Sequence, residues 1–308
     1  MSILKSRSRC LPLAAAIAAA VVFAASGASA AAPQFPLTIR AENGAVTIPQ
    51  RPSRIISLSP TATEDLYAVG AGTQVVAVDS YSTYPAQAPT TKLSGFTPNI
   101  EAIAKYKPDL VVVSDDMNHI VSQLGKLSIP VLVEPPAPNL NGVYAQIEQI
   151  AQATGHSAGV AKVVASMKRQ IAAIVASVPR PKTPLTVYHE LDQNYYSADS
   201  HTFIGQMYKL LGLVNIADKA HGSSDYPQLS AEYIVASNPD VIVLADTVCC
   251  GQDRATVAAR PGWSNIAAVK GGEVVPVNDS IASEWGPRIV LFLKAVAGAV
   301  KTLEGHPK

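Results

Sequence analysis

Residues 99–113 read Asn-Ile-Glu-Ala-Ile-Ala-Lys-Tyr-Lys-Pro-Asp-Leu-Val-Val-Val, and residues 230–244 read Ser-Ala-Glu-Tyr-Ile-Val-Ala-Ser-Asn-Pro-Asp-Val-Ile-Val-Leu. Each opens on a residue whose side-chain oxygen suits a helix N-cap, Asn99 or Ser230, with a glutamate two positions on, Glu101 or Glu232. Each stops its helix before Pro-Asp and then enters an apolar run. Glu101 to Asp109 and Glu232 to Asp240 both span eight residues. A second echo keeps the same order: a short helix ending in glycine before a strand, at Thr63–Gly70 and at Phe203–Gly212. Helix–proline–strand joints are common singly. Two correspondences in one order predict two similar lobes.

Outward from the repeat, short β-branched runs alternate with helical stretches. The strands expected are Arg54–Leu58, Gln74–Val78, Leu110–Val113, Val131–Val133, Leu185–Tyr188, Val241–Leu244 and Val274–Val277. They are continuously apolar, as strands covered on both faces are, and the fold class is α/β. Helices are expected at Thr63–Val69, Ile100–Lys105 and Phe203–Leu211. Between the two halves of the repeat, Val160, Val163, Val164, Met167, Ile171, Ile174, Val175 and Val178 step by three and four. That stripe predicts one long α-helix, capped at Ser157 and stopped by Pro179, as the single bridge between lobes. The expected division is 31–156 for the N-terminal α/β lobe, 157–179 for the linking helix and 180–308 for the C-terminal α/β lobe.

Residues 1–30 read as a cleavable signal peptide. Lys5, Arg7 and Arg9 precede the apolar run Leu11–Ala25, and Ala28-Ser29-Ala30 has the small-x-small form of a cleavage site. The apolar run is too short for a membrane span. Losing those residues shifts 24 basic against 23 acidic side chains to 21 against 23. The expected mature protein is soluble, extracytoplasmic and without the basic excess that nucleic-acid binding leaves. With an apolar fraction of 48% and 15% charge, disorder is excluded.

Enzyme signatures are missing from the text. There is no nucleophile elbow, Walker loop, H-E-x-x-H or C-x-x-C, and no two histidines stand four apart. Gly70-Ala71-Gly72 follows a helix and has Val75 where a dinucleotide fingerprint needs its third glycine. Neither a catalytic residue, a bound cofactor nor a protein metal site is expected. Cys249 and Cys250 are adjacent, and a strained disulfide stiffening the loop Asp246–Arg254 is the expected state, with reduced thiols the alternative.

Eleven Tyr, five Phe and two Trp are few enough for their clustering to mean something. Tyr81 and Tyr84 follow one strand and Phe96 lies in the next loop. Tyr195 and Tyr196 follow the first strand of the C-terminal half, Tyr226 precedes the repeated helix start, and Trp285 follows the last strand. Ligands of open α/β sheets bind beyond the carboxyl ends of strands, so these loops are the expected site. Carboxylates dominate the same loops: Asp115, Asp116, Asp192, Asp199, Asp246, Asp253, Asp279 and Glu284 stand against Arg254 and Arg288. Clustered arginines would suit an anionic ferric-catecholate, whereas a large corrinoid wants aromatic faces with amide-bonding rims.

Ser80-Tyr81-Ser82-Thr83-Tyr84-Pro85, the Phe96–Glu101 loop and Tyr226-Pro227-Gln228-Leu229-Ser230-Ala231-Glu232 resemble periplasmic cobalamin-binding proteins of ABC importers. Arg51-Pro52-Ser53-Arg54-Ile55-Ile56-Ser57-Leu58-Ser59-Pro60 and the Pro-Asp-Leu-Val-Val-Val run are typical of the wider superfamily, which includes ferric-siderophore and haem binders. The resemblance implies two α/β lobes joined by one helix, with cobalamin or a related corrinoid held between them. Siderophore or haem is the runner-up; a bare divalent ion and a secreted hydrolase are more distant. It further implies that Tyr81 touches the corrin, and that Phe96 and Tyr226 stand where close relatives have tryptophans. Tyr195, Tyr196, Asp246 and Trp285 complete the expected ligand set. Glu101 and Glu232 match the pair that docks on arginines of the membrane permease dimer.

Overall fold

Asp109 and Asp240, the acids of the two Pro-Asp pairs, each clamp the start of an earlier strand, those running Ile55–Leu58 and Thr186–Glu190. The Asp109 carboxylate accepts the Ser53 and Arg54 N–H groups at 2.8 and 2.9 Å and the Ser53 hydroxyl at 2.8 Å. The Asp240 carboxylate accepts the Thr186 N–H and hydroxyl, both at 2.9 Å. The residue before each proline is left-handed, Lys107 at φ 48° and Asn238 at φ 46°. Register follows from the clamp: Ile55 pairs with Leu110, and Val187 with Val241. The sequence repeat is therefore a repeated strand-setting device.

The structure, a computed structural model, describes residues 34–181, 183–220 and 224–305. The expected signal peptide lies outside them, as do His221 and His306. An antiparallel hairpin of β1 (Leu37–Ala41) and β2 (Gly44–Ile48) comes first. Then come β3 (Ile55–Leu58), α1 (Pro60–Ala68), β4 (Val75–Asp79), β5 (Thr90–Leu93), α2 (Ile100–Lys105), β6 (Leu110–Val113), α3 (Ile120–Gly125) and β7 (Val131–Val133). Helices α4 (Leu140–Thr154) and α5 (Ser157–Ala176) follow. After them run β8 (Thr186–Glu190), α6 (Phe203–Leu210), β9 (Val214–Asn215), α7 (Ala231–Ser237), β10 (Val241–Leu244) and α8 (Arg254–Ala258). The chain ends with α9 (Ala267–Gly271), β11 (Val274–Pro276), α10 (Asp279–Ser283) and α11 (Ile289–Gly305).

Two parallel sheets result, ordered β5-β4-β3-β6-β7 and β11-β10-β8-β9. Both have a switch point where successive connections depart to opposite sides, beside β3 in one and between β8 and β10 in the other. Asn99 and Ser230 are N-caps, accepting from Ala102 N at 2.9 Å and Tyr233 N at 3.1 Å. Gly70 and Gly212 are both left-handed after α1 and α6, and each helix closes with the same long C-terminal bond, Ala71 to Leu66 and Leu213 to Tyr208. The cap of helix α5 falls one residue earlier than expected: His156 is the N-cap, without a side-chain capping bond, Ser157 is the first helical residue, and the helix ends at Ala176 before Pro179 is reached. Its buried stripe is Val160, Val164, Met167 and Ile171.

Within residues 31–308 the described residues form one compact unit. One apolar cluster takes Ile55 and Leu110 from the first sheet, Val187 and Val243 from the second, Val164 from α5 and Phe292 from α11. The opposite faces carry smaller clusters, around Ile56, Ile103 and Val111 and around Tyr188, Ile242 and Trp263. Both sheets are thus covered on both faces, as their continuous apolar strands require. Among the described residues, no helix is long and apolar enough to cross a membrane.

Candidate functional site

A cleft of about 740 Å³ opens at the carboxyl end of the five-stranded sheet. Its walls are Leu58–Thr61 after β3, Asp79 and Tyr81 after β4, Gly95 and Phe96 after β5, Ser114, Asp115 and Met117 after β6, and Pro136 after β7. The far wall comes from the segment after β11: Asp279, Ser280, Ser283, Glu284 and Trp285. This is the crevice at the switch point, where open α/β sheets bind ligands.

Tyr81 and Phe96 stand over it edge to face, with ring centroids 5.6 Å apart at 89°. They are 60% and 65% exposed, an aromatic pair that serves no core of its own. Gly95 brings the Phe96 loop against β3: a Cβ there would lie 2.3 Å from the Leu58 carbonyl oxygen. Trp285 is held rather than free, its Nε1 donating to Gln146 Oε1 at 2.9 Å and its ring edge-on to Phe203 at 5.8 Å.

The electrostatics of the cleft are unusual. Its described lining includes Asp79, Asp115, Asp279 and Glu284 and no lysine, arginine or histidine. Burial, then a hydrogen bond with Glu64 and its charge, pushes the Glu284 carboxyl up to about 9, so it carries a proton at neutral pH. Burial raises Asp79 as well, against the opposing bonds from Ser82. Asp279 goes the other way: burial alone would raise it, but the Val248 and Cys249 N–H groups, at 2.9 and 2.7 Å, hold it below the usual carboxylate range.

Behind Glu284 lies a buried carboxylate cluster that sequence reading missed. Glu64 and Asp65 on α1, Glu134 after β7 and Glu284 lie together, and one cation, Arg288, pairs with two of them, Glu64 and Glu284. Arg288 Nε donates to Glu64 Oε1 at 2.6 Å, its terminal nitrogen contacts both Glu64 and Glu284, and its guanidinium lies 4.0 Å from the Tyr84 ring centre. Burial lifts Glu134 to about 8, and Asp65 is raised well above its ordinary value by burial and by Glu64, Glu134 and Glu284.

Of the expected ligand residues, Tyr81, Phe96 and Trp285 meet in the cleft; the others do not line it. Tyr195 packs inward, stacked on Trp263 at 5.6 Å with Arg260 over both rings. Asp246 is completely buried at the carboxyl end of β10, where burial and then Glu190 push it up to about 7. Glu190 itself takes a two-pronged bond from Arg260 at 2.6 Å. Tyr195 and Asp246 thus engage neighbouring side chains at the carboxyl end of the second sheet and stand apart from the cleft. Tyr196 and Tyr226 are partly exposed on a neighbouring loop pair joined by the Tyr196–Gln228 bridge. Cys249 and Cys250 are free thiols in place of the expected bridge, with burial and the neighbouring Cys250 and Asp279 pushing the Cys249 thiol up. Their adjacency across one peptide explains this, because a bridge would have to close well inside the usual disulfide span. Glu101 and Glu232 lie exposed in the first turns of α2 and α7.

Residues 55–280 match the family model of the periplasmic binding proteins. A cobalamin-binding protein of Halobacterium salinarum is 34% identical over 280 residues, covering 86% of this chain and 74% of that one. The vitamin B12 binding protein BtuF of Vibrio cholerae superposes with a TM-score of 0.69 at 25% identity, over 83% of this chain and 99% of that chain. The haem binding protein HutB of Vibrio cholerae superposes with a TM-score of 0.69 at 25% identity, over 80% and 97%. With its two parallel sheets and a family match that runs from the first strand of one sheet past the last strand of the other, the chain belongs to the periplasmic binding protein family.

Proposed function

We propose that this protein captures cobalamin or a related corrinoid outside the cytoplasm and delivers it to the permease dimer of an ABC importer, without catalysing a reaction. In this reading the two sheets are the cores of two lobes, α5 is their link, and the 740 Å³ cleft is the ligand seat. The observation that carries it is the pairing of exposed aromatics, Tyr81 and Phe96, with a described lining free of cationic side chains. Ferric-catecholates and the propionates of haem call for arginine or lysine. A corrin rimmed with neutral amides calls for aromatic faces and hydrogen-bonding oxygens, and a protonated Glu284 adds a donor for an amide carbonyl.

Haem is the second reading, because Tyr81 is an exposed phenol over the cleft and phenolates ligate haem iron. Calorimetric titration with cyanocobalamin, cobinamide, haem and ferrichrome decides between them. One-to-one binding of either corrinoid supports the first reading. Haem or ferrichrome binding with both corrinoids silent overturns it.

A further inference from the structure

Away from the cleft, the loop ahead of α6 and the loop ahead of α7 bring Asp199, His201 and Asp225 together, with one ligand atom of each within 4.8 Å of the others. His201 Nδ1 is 2.9 Å from Asp199 Oδ2 and 3.9 Å from Asp225 Oδ1. Tetrahedral ligands around an ion with bonds near 2.0 Å stand about 3.3 Å apart, so these spacings bracket the required one.

The frame under the cluster is fixed. Asp199 N donates to the Asp225 carbonyl at 2.9 Å and Ser197 N to Pro227 at 2.9 Å, which joins the two loops through their backbones. Asp199 Oδ1 accepts the His201 N–H at 2.9 Å, and the Asp199 carbonyl accepts the hydroxyl of Thr202, the N-cap of α6, at 2.8 Å. Asp218 closes the third side by holding the Ser200 N–H and hydroxyl at 2.8 and 2.7 Å.

The charges do not balance. The Asp199 side chain is 12% exposed, yet among the described residues no lysine or arginine pairs with it, with Asp218 or with Asp225. Three carboxylates face one imidazole, and the open side of that imidazole is solvent, since the His201 side chain is 80% exposed. We infer that Asp199, His201 and Asp225 form a three-point site for a first-row divalent metal ion, with water completing the shell and Zn²⁺ held more tightly than Mn²⁺. One nitrogen and two oxygens are the donor set that such ions take, whereas Mg²⁺ and Ca²⁺ gain little from imidazole. A bound ion rivets the Asp199 loop to the loop that carries Tyr226 and leads into α7. None of the three residues lines the cleft, so the site is independent of the ligand reading.

The test is titration of chelator-treated full chain with ZnCl₂, MnCl₂ and MgCl₂ in the absence of any organic ligand, followed by calorimetry and by the shift in melting temperature. Expected is one Zn²⁺ per chain, weaker Mn²⁺ and no Mg²⁺ binding, with H201A and D225N each losing about tenfold or more in Zn²⁺ affinity. Both substitutions fall on exposed side chains, so the variants fold. A C249S/C250S variant is expected to bind as the parent does. Absence of saturable Zn²⁺ binding up to about 1 mM overturns the inference. So does binding that H201A and D225N leave unchanged, or binding that the serine pair abolishes, which would place the ion on the thiols.

Discussion

Arg288 donates to Glu64 across 224 positions of chain, tying the start of α11 to the helix that follows the first strand of the five-stranded sheet. The Glu64 side chain is 2% exposed and that of Arg288 15%, so water screens this pair poorly. Removing one partner of a buried pair leaves an uncompensated charge, whereas replacing both often costs little. Arg288→Met should therefore lose about 3–5 kcal/mol of unfolding free energy, and adding Glu64→Gln should restore much of it. Urea denaturation of the parent, the two single variants and the double variant measures the coupling. Simple additivity of the single effects would mean that the pair does not act as a unit.

Glu134 gives the fold a pH dependence whose sign is set by burial. Its carboxyl rises from 4.5 unfolded to about 8 folded, so the folded state holds a proton that the unfolded chain releases. Stability from this group is complete below about 4.5 and is lost as pH rises toward 8, by up to roughly 4–5 kcal/mol at about 1.4 per unit. Glu134→Gln keeps the shape without the proton. It should match the parent near pH 5 and exceed it in melting temperature near pH 8.5. His189, lowered to about 3 by burial, works from the other side: its contribution is present above 6.5 and fades as pH falls toward 3. An E134Q variant no more stable than the parent in alkali would show that Glu134 ionises without penalty.

The strand-setting repeat was legible because it is local: a cap, a glutamate, Pro-Asp and four apolar residues each act on near neighbours. The strands Leu110–Val113, Val131–Val133 and Val241–Leu244 have the bounds their apolar runs predict. The β1–β2 hairpin, β5 and the two-residue β9 went unseen, since exposed or very short strands leave no apolar run. Position after a strand located Tyr81, Phe96 and Trp285, but it could not separate them from Tyr195, whose side chain turns inward onto Trp263. The Glu64 cluster was missed because adjacent acids in a helix read as a solvated face. Its signal was available: Asp65 follows Ala62 by three, which puts it on the buried face of α1.

Tyr81 and Phe96 should carry binding, and Tyr195 should not. Truncating an aromatic that a ligand covers costs on the order of 2 kcal/mol, about thirtyfold in Kd. Tyr81→Ala and Phe96→Ala should each weaken corrinoid binding by that factor with melting temperature little changed, because both side chains are exposed in the free protein. Tyr195→Ala removes a ring stacked on Trp263 and should lower the melting temperature while sparing affinity. Titrations beside thermal melts distinguish the two patterns. Unchanged affinity in both cleft variants would misplace the ligand.

Glu101 and Glu232 occupy the same place in the two copies of the strand-setting device, each exposed in the first turn after a bonded N-cap. A carboxylate there compensates the helix dipole, worth about 0.3–1 kcal/mol, and that accounts for either residue alone. A pair repeated with its surroundings is better explained by a partner that is itself two-fold and grips each glutamate with an arginine. The extensive apolar cluster joining both sheets keeps their separation constant, so the two contacts reinforce one another as linked sites do. Replacing both with Gln should leave corrinoid affinity in solution intact and stability lower by about 1–2 kcal/mol at most. Delivery to the permease reconstituted in vesicles should fall far more than in either single variant. Transport at the parent rate by E101Q/E232Q, with the protein folded and loaded, would reduce both residues to their dipole role.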